Sequence, residues 1–243
     1  NESDVENLLN FNNLSLNNNK SFVVLEVSSP SPERKRYNNR NSRRRRNRNK
    51  LKNSIQFDRS KLTPSVALDC EMVGVGRDGE NHMLARVSIV NENLEVLLDK
   101  FVKPSETVVN YRSSVSGIYP EMILNGDSFD EVQLQVQMIL HERVLVGHAL
   151  NNDFRVLGFK HPKHLVRDTS RYNLLSRRIQ SRGTPSLKNL AKYLLQCEIQ
   201  NGEHDSVEDA RAAMQIYLKY QNEWEAHLYK QNNHHSRHSR HRY

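Results

Sequence analysis

Three residues, Asn91-Glu92-Asn93, are all that separate the apolar run Met83–Val90 from the next one, Leu94–Val102. A connection that short cannot carry a crossover, so the two runs must pair as antiparallel strands. A third run, Ser65–Val73, precedes them, with Gly74, Gly76 and Gly79 behind it. Beyond Val102 the pattern changes. Ser128 and Glu131 stand at capping-box spacing ahead of apolar positions at helical intervals. Val144–Gly147 reads as a buried strand. Leu150–Phe159 reads as a helix with Leu150, Phe154 and Leu157 on one face, and His164–Thr169 as a last short strand. Pro185–Gln196 and Asp205–Tyr220 read as two helices begun at Ser186 and Ser206. Three antiparallel strands followed by helix–strand alternation define an α/β fold, a mixed sheet flanked by helices.

Composition confines that fold to part of the chain. Only 36% of the 243 residues are hydrophobic, and the mean hydropathy is −0.78. Residues 1–60 are dominated by Asn, Ser and Arg and read as a disordered basic tail. Residues 61–226 form one domain, and residues 227–243 read as a second disordered tail rich in His and Arg. The formal charge of +8 is local: Arg34–Lys52 holds eleven Lys or Arg and no acid, which leaves −3 elsewhere. Pro64–Ala226 carries 18 basic and 22 acidic residues, a net of −4. The basic run is therefore a tether or an address rather than a folded groove, and Ser42–Lys50 has the makeup of a nuclear localisation signal or an RNA-clinging arm. The acidic, Asn-rich start lacks the pattern of a signal peptide. The first residue is Asn, so the chain is expected to be a fragment. No run of 18 apolar residues exists, which excludes a transmembrane helix and argues for no membrane partner. Cys70 and Cys197 are too few for a disulfide framework or a four-cysteine zinc site, and a reducing compartment fits best.

Gly74-Val75-Gly76-Arg77-Asp78-Gly79 matches G-x-G-x-x-G after a strand, the pattern of a dinucleotide-binding turn. That reading needs a helix to open at once, and Glu80–Val90 is strand-like instead. Asp69 and Glu71 just before it would repel a pyrophosphate. The glycines are better explained as a hairpin turn that needs positive φ.

Asp69 and Glu71 lie two apart in an apolar strand, so both point to one face. Two such charges about 4 Å apart cost roughly 4 kcal/mol at an effective dielectric near 20. A raised pKa, a divalent cation or pairing with Arg or Lys must offset that. Two further segments supply acids at the ends of core elements. Asp153 falls in the first turns of the Leu150–Phe159 helix. Asp209 falls near the start of the last helix, where it would serve either as a helix-dipole partner or as the capping-box partner of Ser206. An all-oxygen set of Asp69, Glu71, Asp153 and Asp209 selects Mg²⁺ or Mn²⁺ over zinc. His204, five residues before Asp209, would reach the rim of the same site and take a proton near neutral pH.

The segments Ala67–Gly76, Leu145–Leu157 and Glu203–Tyr217 resemble the three motifs of the DEDDh 3′→5′ exonucleases. The resemblance covers nearly all of Pro64–Trp224 and is greatest to the RNA exonuclease 4 group. It implies a ribonuclease H-like fold, with Asp69, Glu71, Asp153 and Asp209 holding two ions of Mg²⁺ or Mn²⁺. It implies His204 as general base, and Met72 and Arg112 as contacts to the terminal nucleotide. The expected partner is the single-stranded 3′ end of RNA, or of DNA, and the expected setting is ribosomal RNA processing in the nucleus or nucleolus. A non-catalytic RNA-binding assembly factor of the same fold is the alternative from another class. The chain departs from the family pattern at Asn110, where Asp is expected, and at Asp205, where a small or uncharged residue is usual. An inward-pointing Asp205 would raise the pKa of His204.

Overall fold

The computed structural model describes residues 58–239, with side chains through residue 231. The basic arm Arg34–Lys52 and residues 1–57 of the expected disordered tail lie outside the described residues; the last of the sixty are ordered, Asp58 capping a 3₁₀ turn at Arg59–Lys61 by accepting from Ser60 N.

Among the described residues six strands form one mixed sheet: β1 (Ser65–Val75), β2 (Asn81–Asn91), β3 (Val96–Phe101), β4 (Val108–Asn110), β5 (Val144–Gly147) and β6 (Val166–Asp168). The spatial order is β3-β2-β1-β5-β6, with β4 added to the end of β1. β1, β2 and β3 are antiparallel, as the three-residue link demands, and β5 and β6 run parallel to β1 and to each other. The link is held by Asn91, whose Oδ1 accepts from the backbone N–H groups of Asn93 and Glu95 at 2.9 Å each. The glycine-rich segment is the β1–β2 hairpin turn, with Gly76 at φ 82° and Gly79 at φ 68°. A side chain at Gly74 would begin 2.1 Å from the Gly79 carbonyl oxygen, so only glycine lets the hairpin close there.

Among the described residues seven α-helices flank the sheet: α1 (Ser113–Ser116), α2 (Pro120–Leu124), α3 (Phe129–Leu140), α4 (Asn151–Leu157), α5 (Asn173–Arg178), α6 (Leu187–Leu190) and α7 (Ser206–Ser239). Ser128 caps α3 by accepting from Glu131 N, and Ser186 caps α6 by accepting from Asn189 N. A π-helical turn, Ala191–Leu195, prolongs α6 until Gln196 enters the left-handed region at φ 56°.

The alternation of β1 sorts the core onto two faces. Val66, Leu68 and Cys70 pack with Val132, Val136 and Ile139 of α3 and Leu157 of α4. Ala67 packs on the other side with Leu190 of α6 and Ala210, Met214 and Tyr217 of α7. Asp69 and Glu71 continue the Ala67 row, and this directs them toward α7.

The last helix does not stop at residue 226, where the disordered tail was expected to begin; it continues through Ser239. No Gly or Pro interrupts residues 227–239. Trp224 stacks on Tyr172 with ring centroids 4.1 Å apart, and Leu228 packs partly buried against the same core. Two aromatic rings buried at this point supply the tertiary anchoring that a polar helix lacks by itself.

Candidate active site

Asp69 is half-buried in the middle of β1, and Glu71, Asp153 and Asp209 are buried. Asp153 reaches the site from α4, and the placement of that helix rests on Asp168 at the end of β6. The Asp168 Oδ1 accepts from Ala149 N at 2.9 Å, and Oδ2 accepts from Leu150 N at 3.1 Å. Ser170 donates to the same Oδ1 from its backbone N–H at 3.0 Å and its hydroxyl at 2.7 Å. With Ala149 at φ 55°, this clamp turns the chain sharply from β5 into α4 and aims Asp153 back at β1.

Asp209 reaches the site from the first turns of α7. It is not a capping residue. Asp205 caps this helix, its Oδ1 accepting from Val207 N at 2.9 Å and Glu208 N at 3.0 Å. Ser206, expected as the cap, instead turns its hydroxyl inward to Ser88 Oγ at 2.7 Å, both residues being fully buried. A carboxylate at the cap position outcompetes the hydroxyl because it is charged and faces the positive end of the helix.

The four acids act on one another. Burial first, and then the charges of Asp153, Asp209 and Glu71, push the Asp69 carboxyl well above the usual range. Burial, with Asp209 adding, pushes Glu71 up to about 8, against the pull of Arg86. Burial also raises Asp153, which hydrogen bonds from Cys70 partly counter. Burial raises Asp209 too, opposed by a hydrogen bond from Gln200 and by His204. The expected alternative, in which each acid is neutralised by its own arginine, is not what the structure holds. Arg86 stands opposite Glu71 in the strand register, but its guanidinium forks onto Asp99 at 2.7 and 2.9 Å and reaches Asp205 at 3.1 Å.

The chemistry of the oxygens fits a hard cation. Glu71 Oε1 and Asp209 Oδ1 are buried with no hydrogen-bond donor. Buried carboxylate oxygens normally have a donor or an ion against them, and an all-carboxylate set suits Mg²⁺, Mn²⁺ or Ca²⁺. Among the described residues no three His, Cys, Asp or Glu side chains are drawn tightly enough to ligate one ion as they stand. Near neutral pH the repulsion between these carboxyls is relieved by the protons their raised pKa values retain, and a bound cation would displace those protons.

His204 Nδ1 lies 3.8 Å from Asp209 Oδ2, and the imidazole is about one-third exposed. Its backbone N–H donates to Val115 O at 2.7 Å. Gly117, at φ 62°, lets α1 sit this close, because a Cβ there would lie 2.9 Å from the His204 carbonyl oxygen. Asp205 points away from His204 into the helix cap and Arg86. Burial alone would raise the Asp205 pKa, but the hydrogen bond from Glu208 N and the charge of Arg86 outweigh it and leave it lowered. The departure at residue 205 therefore supports the helix start rather than the histidine.

Met72 packs half-buried beside the Leu68 and Cys70 core. The Arg112 guanidinium donates to Gly79 O at 2.8 Å and meets His82 Nδ1 at 3.1 Å, which ties down the β1–β2 hairpin. Asn110 takes part in the same support, its Oδ1 accepting from Arg112 N at 2.9 Å. Gln200 was not foreseen. Held at φ 56°, it donates from Nε2 to Asp209 Oδ2 at 2.8 Å. No spacing or composition signal marks it, since a loop Gln nine positions from its partner looks like any other.

A sheet of this order, with buried acids converging from β1, α4 and α7, is that of a ribonuclease H-like nuclease domain. A family model for exonucleases of the RNase T type matches residues 66–217, and the chain belongs to that family. Exonucleases of this family depend on divalent metal. The chain is 52% identical over 165 residues to RNA exonuclease 4 of Xenopus tropicalis, covering 68% of this chain and 40% of that protein. It is 48% identical over 165 residues to RNA exonuclease 4 of Homo sapiens, covering 68% and 39%. It is thus similar to these relatives over about two-fifths of their length. Among solved structures it resembles the Pan2 pseudoubiquitin hydrolase–RNA exonuclease module of Saccharomyces cerevisiae in complex with AAGGAA RNA. The TM-score is 0.61 at 27% identity, covering 75% of this chain and 34% of that one. The Neurospora crassa Pan2 catalytic unit is similar at TM-score 0.59 and 29% identity, covering 72% and 30%. The family and fold read from the motifs are borne out.

Proposed function

We propose that this domain is a 3′→5′ exonuclease that removes 5′-mononucleotides from the single-stranded 3′ end of RNA. The carrying observation is the convergence of Asp69, Glu71, Asp153 and Asp209 with two buried carboxylate oxygens lacking any donor. These four side chains would hold two ions of Mg²⁺ or Mn²⁺. When bound, such ions supply Lewis-acid stabilisation of the attacking and leaving oxygens of an in-line displacement. The chain's own groups do the remaining work. His204, partly open to solvent beside Asp209, accepts the proton of the attacking water. Gln200 fixes the orientation of the Asp209 carboxylate, and Asp168 fixes α4 and so Asp153. Arg86, shared between Asp99 and Asp205, also draws Glu71 toward its ionised form.

RNA is favoured over DNA by the similarity to RNA exonucleases of Xenopus tropicalis and Homo sapiens and by the RNA bound to the Pan2 module. The identity of all five proposed groups with the family pattern favours an active enzyme over a non-catalytic assembly factor. A role in ribosomal RNA processing is what the resemblance of the motifs to the RNA exonuclease 4 group implies, and a nuclear or nucleolar location is proposed from that resemblance and the basic run Arg34–Lys52.

Digestion of 3′-free and 3′-blocked RNA, with a matched DNA strand, tests the proposal in Mg²⁺, Mn²⁺ or chelator. Mononucleotides should appear from 3′-free RNA only, and only with metal. Asp69→Ala should reduce the rate by at least about 10³-fold, the scale of losing a charge-stabilising element. Equal cleavage of the blocked strand, or full activity in Asp69→Ala, overturns it.

A further inference from the structure

The outer side of α4 carries a second feature that the cleavage site does not use. Asp153, Val156 and Leu157 turn inward and are buried. Asn151, Phe154, Arg155 and Gly158 line an open groove of about 930 Å³, which continues along Lys160–Lys163, Arg171 and the Trp224–Gln231 stretch of α7. Four of the lining residues are Lys or Arg, namely Arg155, Lys160, Lys163 and Arg171, and all four are exposed. The lining has one acid, Asp168, whose oxygens are engaged by Ala149, Leu150 and Ser170 and, at 3.7 Å, by Arg171, so Arg155, Lys160 and Lys163 are the cations that face no acid of the lining. In a domain of net charge −4, the groove is a local reversal of sign. Its floor offers the half-buried rings of Phe154 and Phe159, tilted 54° to each other with centroids 6.5 Å apart.

Exposed cations along an open channel with aromatic faces between them match one kind of ligand. A single strand of nucleic acid presents evenly spaced phosphates to the cations and a π-face on every base. A folded acidic protein presents its carboxylates without a planar group repeated at each one. We infer that this groove binds the body of the RNA strand, 5′ of the nucleotide being removed, through backbone phosphates and base stacking without reading sequence. The inference rests on the exonuclease reading for the choice of strand. Asn151 of the lining is two residues from Asp153 on the same helix, which puts one end of the groove within a turn of α4 from the acidic site.

The test uses the full chain, with its basic arm unchanged in every variant, and reads RNA affinity by fluorescence anisotropy in chelator. A 16-nucleotide oligouridine and a trinucleotide are the probes. Lys160→Gln with Lys163→Gln should weaken 16-mer binding about tenfold and the trinucleotide less. It should also lower the slope of log affinity on log salt by about 1.4, at about 0.7 per phosphate contact on a single strand. Phe159→Leu, which keeps an apolar side chain against the core, should weaken the 16-mer about tenfold by removing a stacking face. Lys103→Gln with Lys192→Gln makes the same charge change away from the groove and should alter the slope by less than half as much. Unchanged affinity and slope in the Lys160/Lys163 variant overturn the inference. So does an equal loss in the Lys103/Lys192 control, or competition by polyglutamate as effective as that by RNA. Because binding is read without metal, failure of the wild-type chain to cleave RNA would sink the exonuclease reading and leave these binding results to decide the groove.

Discussion

Two side chains next to the acids control how Asp209 is presented. Gln200 Nε2 donates to Asp209 Oδ2 at 2.8 Å, while Oδ1 of the same carboxylate has no donor. One oxygen is thereby steered and the other left for a cation, the division of labour seen when a hydrogen bond orients a metal-binding carboxylate. Gln200→Ala should raise the metal concentration needed for half-maximal cleavage about 10- to 100-fold, with the rate at saturating metal changed far less. A metal titration of activity decides this, and an unaltered midpoint would mean that Gln200 serves only its loop. His204 makes the opposite prediction. It stands 3.8 Å from Asp209 Oδ2 and is partly open to solvent, suited to moving a proton rather than to holding an ion. His204→Ala should cut turnover about 10²- to 10⁴-fold while the metal midpoint stays nearly fixed. A variant that loses metal response and turnover together would reassign His204 to the ligand set.

Asp168 performs at the level of an element what Gln200 performs for one side chain. Its carboxylate accepts from two backbone N–H groups at the entry to α4 and from the backbone and hydroxyl of Ser170. Asp168→Ala strands those buried donors, each worth about 1–3 kcal/mol when left unsatisfied. The thermal midpoint should therefore fall by roughly 10 °C, at about 2–4 °C per kcal/mol for a domain of this size. Asp168→Asn keeps the shape and half of the acceptor capacity and should fall between. Calorimetry on the three proteins checks the order. The sequence announces the elements with strong periods and is silent on others. β1, β2 and β3 are legible because a three-residue link leaves one way to pair, and α3 because Ser128 and Glu131 mark its start. β4, α1, α2 and α5 are three to six residues long, too short to show a period, and their conformations depend on contacts such as that of Gly117 with the His204 carbonyl. The start of α7 is misread at Ser206, since only the fold reveals that Ser88 claims its hydroxyl. The four acids are readable as a candidate set because they are ionisable residues set into apolar elements, Asp69 and Glu71 within β1, Asp153 in α4 and Asp209 in the first turns of α7, with His204 five residues before Asp209. Gln200, Asp168 and Arg86 act through partners distant in sequence, and no local pattern encodes that.

At the scale of the whole molecule, the balance of buried charge fixes how stability responds to pH and to metal. Glu71 carries a pKa of about 8 in the fold against 4.5 when free, and Asp69, Asp153 and Asp209 are raised as well. Between the two values the folded chain holds a proton that the unfolded chain has released, so stability declines as pH rises through that window. Other groups run the opposite way at lower pH. Burial depresses His148 below 6.5, and Asp205 lies below its ordinary 3.8. The first gains stability up to about pH 6.5 and the second only near pH 4, so neither slopes above pH 7. From pH 7 to 8 the raised carboxyls alone remain. In chelator the domain should lose about 1 kcal/mol across that unit, a drop of about 2–4 °C in midpoint. A divalent cation favours the ionised carboxylates, so its stabilising effect should grow with pH and flatten or reverse the decline. Asp69→Asn with Glu71→Gln removes two of the titrating groups and should lessen the decline in chelator. Melting curves at pH 7, 7.5 and 8, with chelator and with Mg²⁺, give the comparison. A midpoint that rises with pH in chelator, or that ignores Mg²⁺ at every pH, would contradict a cluster of acids built to be discharged by a cation.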